Sequence, residues 1–222
     1  MEPDRLRRAL ESTLLSPVAG AAEVEALCRE AAELGLHGVC VSPCRVGEAS
    51  RWLAGTGVRV VTVVGFPLGT QTPRCKAAEV DEAVAAGAHE VDAVWNLGWF
   101  LEGRYRAVVA ELRGLRRAAG DRTLKVILET GHLTPPKLRE AAALALGAGA
   151  DFLKTSTGFG PRGATVEDVR TLRQVAGGRC GVKASGGIRS LEHASDLLAA
   201  GADRLGTSSA GTICRQALES GT

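Results

Sequence analysis

Three features of this 222-residue sequence point to a parallel (β/α)8 barrel, a TIM barrel, built as a single domain over residues 1–222. The first is a recurring helix stop, Ala86-Gly87-Ala88, Ala148-Gly149-Ala150 and Ala200-Gly201-Ala202, each after an Ala-rich stretch and before a short apolar run. The second is that Gly35, Gly57, Gly120 and Gly178 occupy comparable places, so that successive stops lie 22 to 33 residues apart, the length of one strand plus one helix and its loops. The third is composition: 45% hydrophobic and 23% charged residues suit one globular core and exclude a disordered chain. Such spacing leaves no linker and requires helical crossovers between parallel strands. Eight units favour closure over an open doubly wound sheet.

The elements follow in order. A strand is predicted at Ala9–Leu14, then a helix over Ala22–Leu34 stopped by Gly35, where the left-handed backbone is open to glycine. Seven further strands are expected at Gly38–Ser42, Arg59–Phe66, Glu90–Trp95, Leu124–Thr130, Phe152–Thr157, Gly181–Ala184 and Arg204–Thr207. Counting five residues past each stop gives Cys40, Thr62, Asp92, Lys125, Lys154, Lys183 and Gly206, so polar groups are expected at a common depth in strands otherwise buried on both faces.

Charge and cysteine usage narrow the function classes. The 27 basic and 25 acidic residues leave a net charge of +2, too little to gather nucleic acid or an anionic membrane. No apolar run approaches the roughly 20 residues of a membrane helix, and Met1–Arg8 leads into no signal-peptide core, so a cytoplasmic protein is expected. Cys28, Cys40, Cys44, Cys75, Cys180 and Cys214 are dispersed as free thiols would be; Cys40 and Cys44 lack the second half of a zinc site, and the four histidines are scattered. No metal is expected.

Lysine placement is the sharpest signal. The basic residues comprise 22 arginines and only five lysines, yet Lys125, Lys154 and Lys183 all fall within apolar strands. Arginine keeps its proton in a protein, whereas a buried amine can lose one and attack a carbonyl. The structural alternative is a salt-bridge network of Lys125, Glu129 and Asp92; three lysines against two carboxylates leave one amine over. Gly186-Gly187 after strand seven and Gly206-Thr207-Ser208-Ser209 after strand eight supply backbone and hydroxyl donors where barrels usually hold phosphate. Gly158-Phe159-Gly160-Pro161-Arg162-Gly163 spells a dinucleotide fingerprint, but the segment Gly178–Lys183 offers no ribose-binding acid, and a flexible loop over the site fits better.

Phe152-Leu153-Lys154-Thr155-Ser156-Thr157-Gly158-Phe159, Val182-Lys183-Ala184-Ser185-Gly186-Gly187 and Leu205-Gly206-Thr207-Ser208-Ser209 closely resemble the deoxyribose-phosphate aldolase family. Val39-Cys40-Val41-Ser42-Pro43, Val63-Val64-Gly65-Phe66-Pro67, Glu90-Val91-Asp92 and Lys125-Val126-Ile127-Leu128-Glu129-Thr130 extend the resemblance in collinear order. It implies a class I Schiff-base aldolase that reversibly cleaves 2-deoxyribose 5-phosphate to acetaldehyde and glyceraldehyde 3-phosphate without a metal or organic cofactor, and that forms a homodimer. It assigns Lys154 as the Schiff-base lysine, Lys183 as the lysine that lowers its pKa, and Asp92 as the proton-transfer carboxylate, expected closer to Lys183 or a water than to Lys154. Gly186, Gly187, Ser208, Ser209 and Thr157 are implied as substrate and phosphate contacts, with Glu11, Cys40 and Lys125 in supporting roles. Two departures stand out: Glu11-Ser12-Thr13 replaces the usual Asp-His-Thr or Asp-Leu-Thr, and the chain ends without the terminal tyrosine of many members, its one tyrosine being Tyr105. They leave open a related Schiff-base aldolase with another aldehyde substrate, or a non-catalytic phosphosugar-binding barrel.

Overall fold

The computed structural model describes residues 3–220. Eight parallel strands close into a barrel in sequence order, β1 (Leu10–Leu14), β2 (Gly38–Val41), β3 (Arg59–Val64), β4 (Glu90–Val94), β5 (Thr123–Ile127), β6 (Phe152–Lys154), β7 (Gly181–Ser185) and β8 (Arg204–Thr207). Closure, which periodicity left undecided, comes from β8 pairing with β1, where Leu10 lies opposite Leu205 and Glu11 opposite Gly206. The helices are α1 (Pro3–Ala9), α2 (Ala21–Leu34), α3 (Val46–Trp52), α4 (Pro73–Ala85), α5 (Leu97–Leu101), α6 (Tyr105–Ala119), α7 (Pro135–Gly147), α8 (Val166–Ala176), α9 (Leu191–Ala199) and α10 (Ala210–Ser220). Short side-chain caps start several of them: Thr72, Thr165 and Ser190 accept from Cys75, Asp168 and His193 backbone N–H groups. The stops behave as the sequence predicts, with Gly35, Gly87, Gly149 and Gly201 all at positive φ.

Most apolar burial lies between the outer face of the barrel and its helices, where Val39, Val41, Val60, Val64, Val91 and Val126 meet Val24, Val80, Leu112, Leu138, Val169 and Leu197. A small second cluster, Cys40, Val61 and Val63, fills part of the barrel interior. This division corrects one expectation. Thr62 does not join the polar interior: it shares the outer face with Val60 and Val64, and its hydroxyl donates to Val41 O at 2.8 Å. Counting from a glycine fixes depth along a strand, but the face depends on where the preceding turn ends.

Several strands stop earlier than predicted. In β6, Thr155 N still donates to Lys183 O, but Thr157 turns its backbone N–H and hydroxyl to the Glu129 carboxylate, drawing the chain off the sheet. α1, unpredicted from sequence, packs on α10 and buries Leu6. His89 is structural: its Nδ1 accepts from Val60 N at 3.0 Å.

A fourth lysine is buried outside the barrel. Lys76 on α4 donates to Glu111 on α6 at 2.7 Å, both side chains being fully enclosed, and the other Glu111 oxygen accepts from Asn96 N at 2.9 Å. Burial lowers the Lys76 pKa against the opposing pull of Glu111. Removing one member of such a pair strands a charge, so Glu111→Ala is expected to destabilise the fold by about 3–5 kcal/mol. Thermal unfolding should show a loss on the order of 10 °C. A shift below a degree or two would mean that the pair is dispensable.

Candidate active site

Alternation along five strands directs Glu11, Asp92, Lys125, Lys154 and Lys183 into one end of the barrel interior, where each is at most 4% exposed. Lys125 lies opposite Asp92 in the register, whereas Lys154 lies opposite Ile127, one inward position further along, and Lys183 lies opposite Lys154. The lysines therefore occupy two levels rather than the single level expected. Lys154 and Lys183 form the upper pair.

Asp92 ties the levels together. Its Oδ1 accepts from Lys125 Nζ at 2.9 Å, and its Oδ2 accepts from both Lys154 Nζ at 2.7 Å and Lys183 Nζ at 2.6 Å. A 0.1 Å difference is no preference, so the expectation that Asp92 would favour Lys183 gives way to a shared oxygen. Lys183 also donates to Glu11 Oε2. Below, Lys125 meets Glu90 Oε2 at 2.5 Å and Glu11 Oε1 at 3.6 Å, and His37 Nε2 lies 2.9 Å from Glu90 Oε1.

Two sequence expectations are corrected here. Glu129 takes no part in the lysine network, since its carboxylate accepts from Thr157 instead. Glu11 and Glu90 join Asp92, so three carboxylates face three lysines and simple counting leaves no amine over. What distinguishes Lys154 is its surroundings. Burial lowers its pKa and the Lys183 ammonium lowers it further, against the pull of Asp92. For Lys183, burial is outweighed by Asp92 and Glu11, which raise its pKa; for Lys125, Asp92 and Glu11 outweigh burial in the same direction. Burial would raise the Asp92 pKa, but Lys125, Lys154 and Lys183 together hold it well below the usual carboxylate range. In Glu90, bonding to His37 and Lys125 overcomes burial and brings the pKa down to about 2. Glu11, His37 and Glu90 lie close enough to share an ion, yet the Lys125 ammonium already meets both carboxylates.

A cavity of about 310 Å³ opens above this network, and Lys154 is the one lysine on its wall. Thr157, Gly158 and Phe159 line one side, and Gly186, Gly187, Gly206, Thr207 and Ser208 line another. Gly206 is needed for space: a Cβ there would sit 3.0 Å from Lys183 Cε. The Gly163–Gly186 approach is equally demanding, since a Cβ on Gly163 would fall 2.0 Å from Gly186 O. Ser209 stands just behind the cavity wall, before α10, with its N–H donated to Thr207 Oγ1 at 2.9 Å. Cys40 lies within the barrel, and burial pushes its thiol up to about 11. A larger hollow of about 460 Å³ at the opposite end of the barrel, bounded by Asp4, Arg5, Arg8, Asp203 and Arg204, contains no lysine.

Residues 11–217 match the family described as DeoC/LacD family aldolase. The chain belongs to the DeoC/LacD aldolase family. Deoxyribose-phosphate aldolase from Deinococcus radiodurans is 46% identical over 199 residues, covering 90% of each chain. The enzyme of the same name from Thermoanaerobacter sp. (strain X514) is 48% identical over 206 residues, 91% of this chain and 92% of that one. Among solved structures, a tetrameric deoxyribose phosphate aldolase from Aeropyrum pernix superposes with a TM-score of 0.92 at 35% identity, covering 100% of this chain and 94% of that chain.

Within this DeoC/LacD barrel the Glu11 departure has a defined geometry. The longer side chain reaches Lys183 and approaches Lys125 from below, and it does not line the cavity. Sequence reasoning missed Glu90 and His37 because nothing local marks a partner 53 residues away. It also missed Arg189 on the cavity wall, although a basic residue two positions after Gly186-Gly187 was a readable anion signal.

Proposed function

We propose that this DeoC/LacD aldolase reversibly cleaves 2-deoxyribose 5-phosphate to acetaldehyde and glyceraldehyde 3-phosphate through an imine on Lys154. The observation that carries the reading is the placement of Lys154, a cavity-lining amine with a lowered pKa beside a firmly protonated Lys183. The neutral Nζ adds to the C1 aldehyde to give a carbinolamine, whose hydroxyl takes a proton from the Asp92–lysine network and departs as water, leaving an iminium. Loss of the C3 hydroxyl proton then breaks the C2–C3 bond; its electron pair passes to the iminium as an enamine while glyceraldehyde 3-phosphate leaves. Protonation at C2, a proton transfer assigned to Asp92 and its lysines, followed by addition of water, releases acetaldehyde and restores the amine.

The phosphate is assigned to Gly186, Gly187 and Ser208 on the cavity wall, with Arg189 beside them and the Ser209 hydroxyl behind them just before α10. Thr157 contributes from the opposite wall, Lys125 and Glu11 support the network through their contacts with Asp92 and Lys183, and Cys40 packs beside it in the barrel interior. Acetaldehyde release from deoxyribose 5-phosphate, followed by a coupled dehydrogenase, tests the reaction. Absence of turnover with that sugar but turnover with another phosphorylated ketose or aldose would move the substrate within the family.

Phosphate recognition carries its own prediction. Unphosphorylated deoxyribose should show kcat/KM lower by on the order of 100-fold or more, because charge-assisted bonds to a dianion are among the strongest available. Equal kcat/KM for the two sugars would remove the phosphate from these loops.

A further inference from the structure

Glu129 has the one positive φ outside glycine among the described residues, 54° with ψ 61°. A residue with a side chain holds the left-handed conformation only when its surroundings over-determine it, and such positions concentrate at working sites. Here the restraint is visible on both sides. Leu128 N donates to Lys154 O and Thr130 N donates to Thr155 O, each at 2.9 Å, so the backbone before and after Glu129 is pinned to the strand that carries the proposed nucleophile.

The twist sends the Glu129 carboxylate toward the loop after β6. Both its oxygens accept from Thr157 N at 3.3 Å, and Oε2 also accepts the Thr157 hydroxyl proton. That hydroxyl in turn accepts from Phe159 N at 3.0 Å. Phe159 meets the Phe66 ring edge-on, with centroids 5.4 Å apart and planes at 90°. The loop closes tightly on Glu129, since a Cβ at Gly160 would fall 2.8 Å from its carboxyl group. Arg162 fixes the far end of the same loop by bonding Asp168 and Thr130 O. The segment expected from sequence to be a flexible flap is therefore clamped from below.

We infer that Glu129 is a positioning residue: through Thr157 and Phe159 it sets the cavity wall beside Lys154, and so governs how the phosphosugar sits without touching the reacting atoms. The inference rests on the proposed imine at Lys154, and its two halves separate experimentally. Imine formation with acetaldehyde needs only the amine, whereas productive binding of the five-carbon phosphosugar needs the wall.

The experiment compares Glu129→Gly with Glu129→Gln. Glycine adopts positive φ freely, so the first variant keeps the backbone turn while losing the clamp. The second keeps an oxygen that accepts from Thr157. In Glu129→Gly, borohydride trapping of acetaldehyde on Lys154 should persist within a few-fold. The KM for deoxyribose 5-phosphate should rise about tenfold or more, in line with loss of hydrogen bonds to a charged acceptor. The Phe159 amide should exchange with deuterium faster. Glu129→Gln should restore most of the KM and the amide protection. If Glu129→Gly is poorly folded, Glu129→Asn makes the same comparison, since asparagine tolerates the left-handed backbone while its shorter side chain falls short of Thr157.

An unchanged KM in Glu129→Gly, or a glutamine variant no better than glycine, overturns the positioning role. Loss of acetaldehyde trapping together with phosphosugar turnover in Glu129→Gly overturns it too, because the defect would then lie at the amine. Failure of trapping on Lys154 in the unaltered protein is a different result, and it removes the parent reading.

Discussion

Lys154→Arg is expected to abolish aldol cleavage, lowering kcat/KM by on the order of 10⁴-fold or more, while leaving the fold intact. The reasoning separates charge from chemistry. Arginine can still face Asp92, so the buried network keeps a cation where Lys154 Nζ now sits 2.7 Å from Oδ2. Yet a guanidinium does not surrender its proton and cannot add to an aldehyde. Thermal stability should therefore fall far less than activity. Reduction with borohydride in the presence of acetaldehyde should place one ethyl group on Lys154 of the unaltered protein and none on the variant. Lys125 and Lys183 are fully buried and their pKa values are raised, so neither is available to the aldehyde. A label mapped to either one, or full activity in Lys154→Arg, would reassign the nucleophile.

Why the strand placement of Lys154 and Lys183 could be anticipated, and their levels and carboxylate partners could not, follows from what a sequence encodes locally. Strand position is written in the glycine stops: Gly149 precedes β6 and Gly178 precedes β7, which puts Lys154 and Lys183 into strands. The chain's preference for arginine made those lysines conspicuous. Level and face are different matters. Lys125 and Lys154 fall at the same count from their glycines, but the stagger of a closed barrel places Lys154 opposite Ile127 and so one inward position higher. That stagger lifts Lys154 above Lys125 toward the cavity. Thr62 illustrates the other loss, since one residue of turn length rotated it out of the interior.

Long-range partners were the least legible. Glu129 sits in a strand-like run and looked like a counter-ion for Lys125, yet its left-handed backbone carries the carboxylate to Thr157. Glu11 is recognisable in sequence as a lengthened acid, but its role against Lys183 depends on the β8–β1 closure that brings residues 172 positions apart into contact. The two Gly-rich loops after β7 and β8, by contrast, were readable as candidate cavity wall, because the donors they offer are backbone groups and adjacent hydroxyls, which sequence alone specifies.

Lys183→Met should lower the rate and move the ascending limb of kcat/KM to higher pH. That limb follows loss of the proton from Lys154, because only the neutral amine attacks, and kcat/KM reports the free enzyme. A free lysine near pKa 10.4 would be almost wholly protonated at neutral pH. In this site burial disfavours the Lys154 ammonium and the neighbouring Lys183 ammonium disfavours it again, while Asp92 opposes both. Methionine removes the like charge. It also leaves Asp92 Oδ2 with Lys154 alone of its two upper partners and deprives Glu11 of its closest cation, so the remaining negative charge favours protonated Lys154. Each change raises the Lys154 pKa. The direction of the displacement is upward, and every unit of it lowers the neutral fraction at pH 7 about tenfold. Lys183→Arg should retain part of the effect through its charge, but a planar guanidinium fits poorly where Gly206 leaves room only for an ammonium on a slim stem. Its limb should lie between those of the native protein and Lys183→Met. If Lys183→Met leaves the limb in place, the second lysine does not tune the first, and burial within the barrel would have to supply the whole displacement.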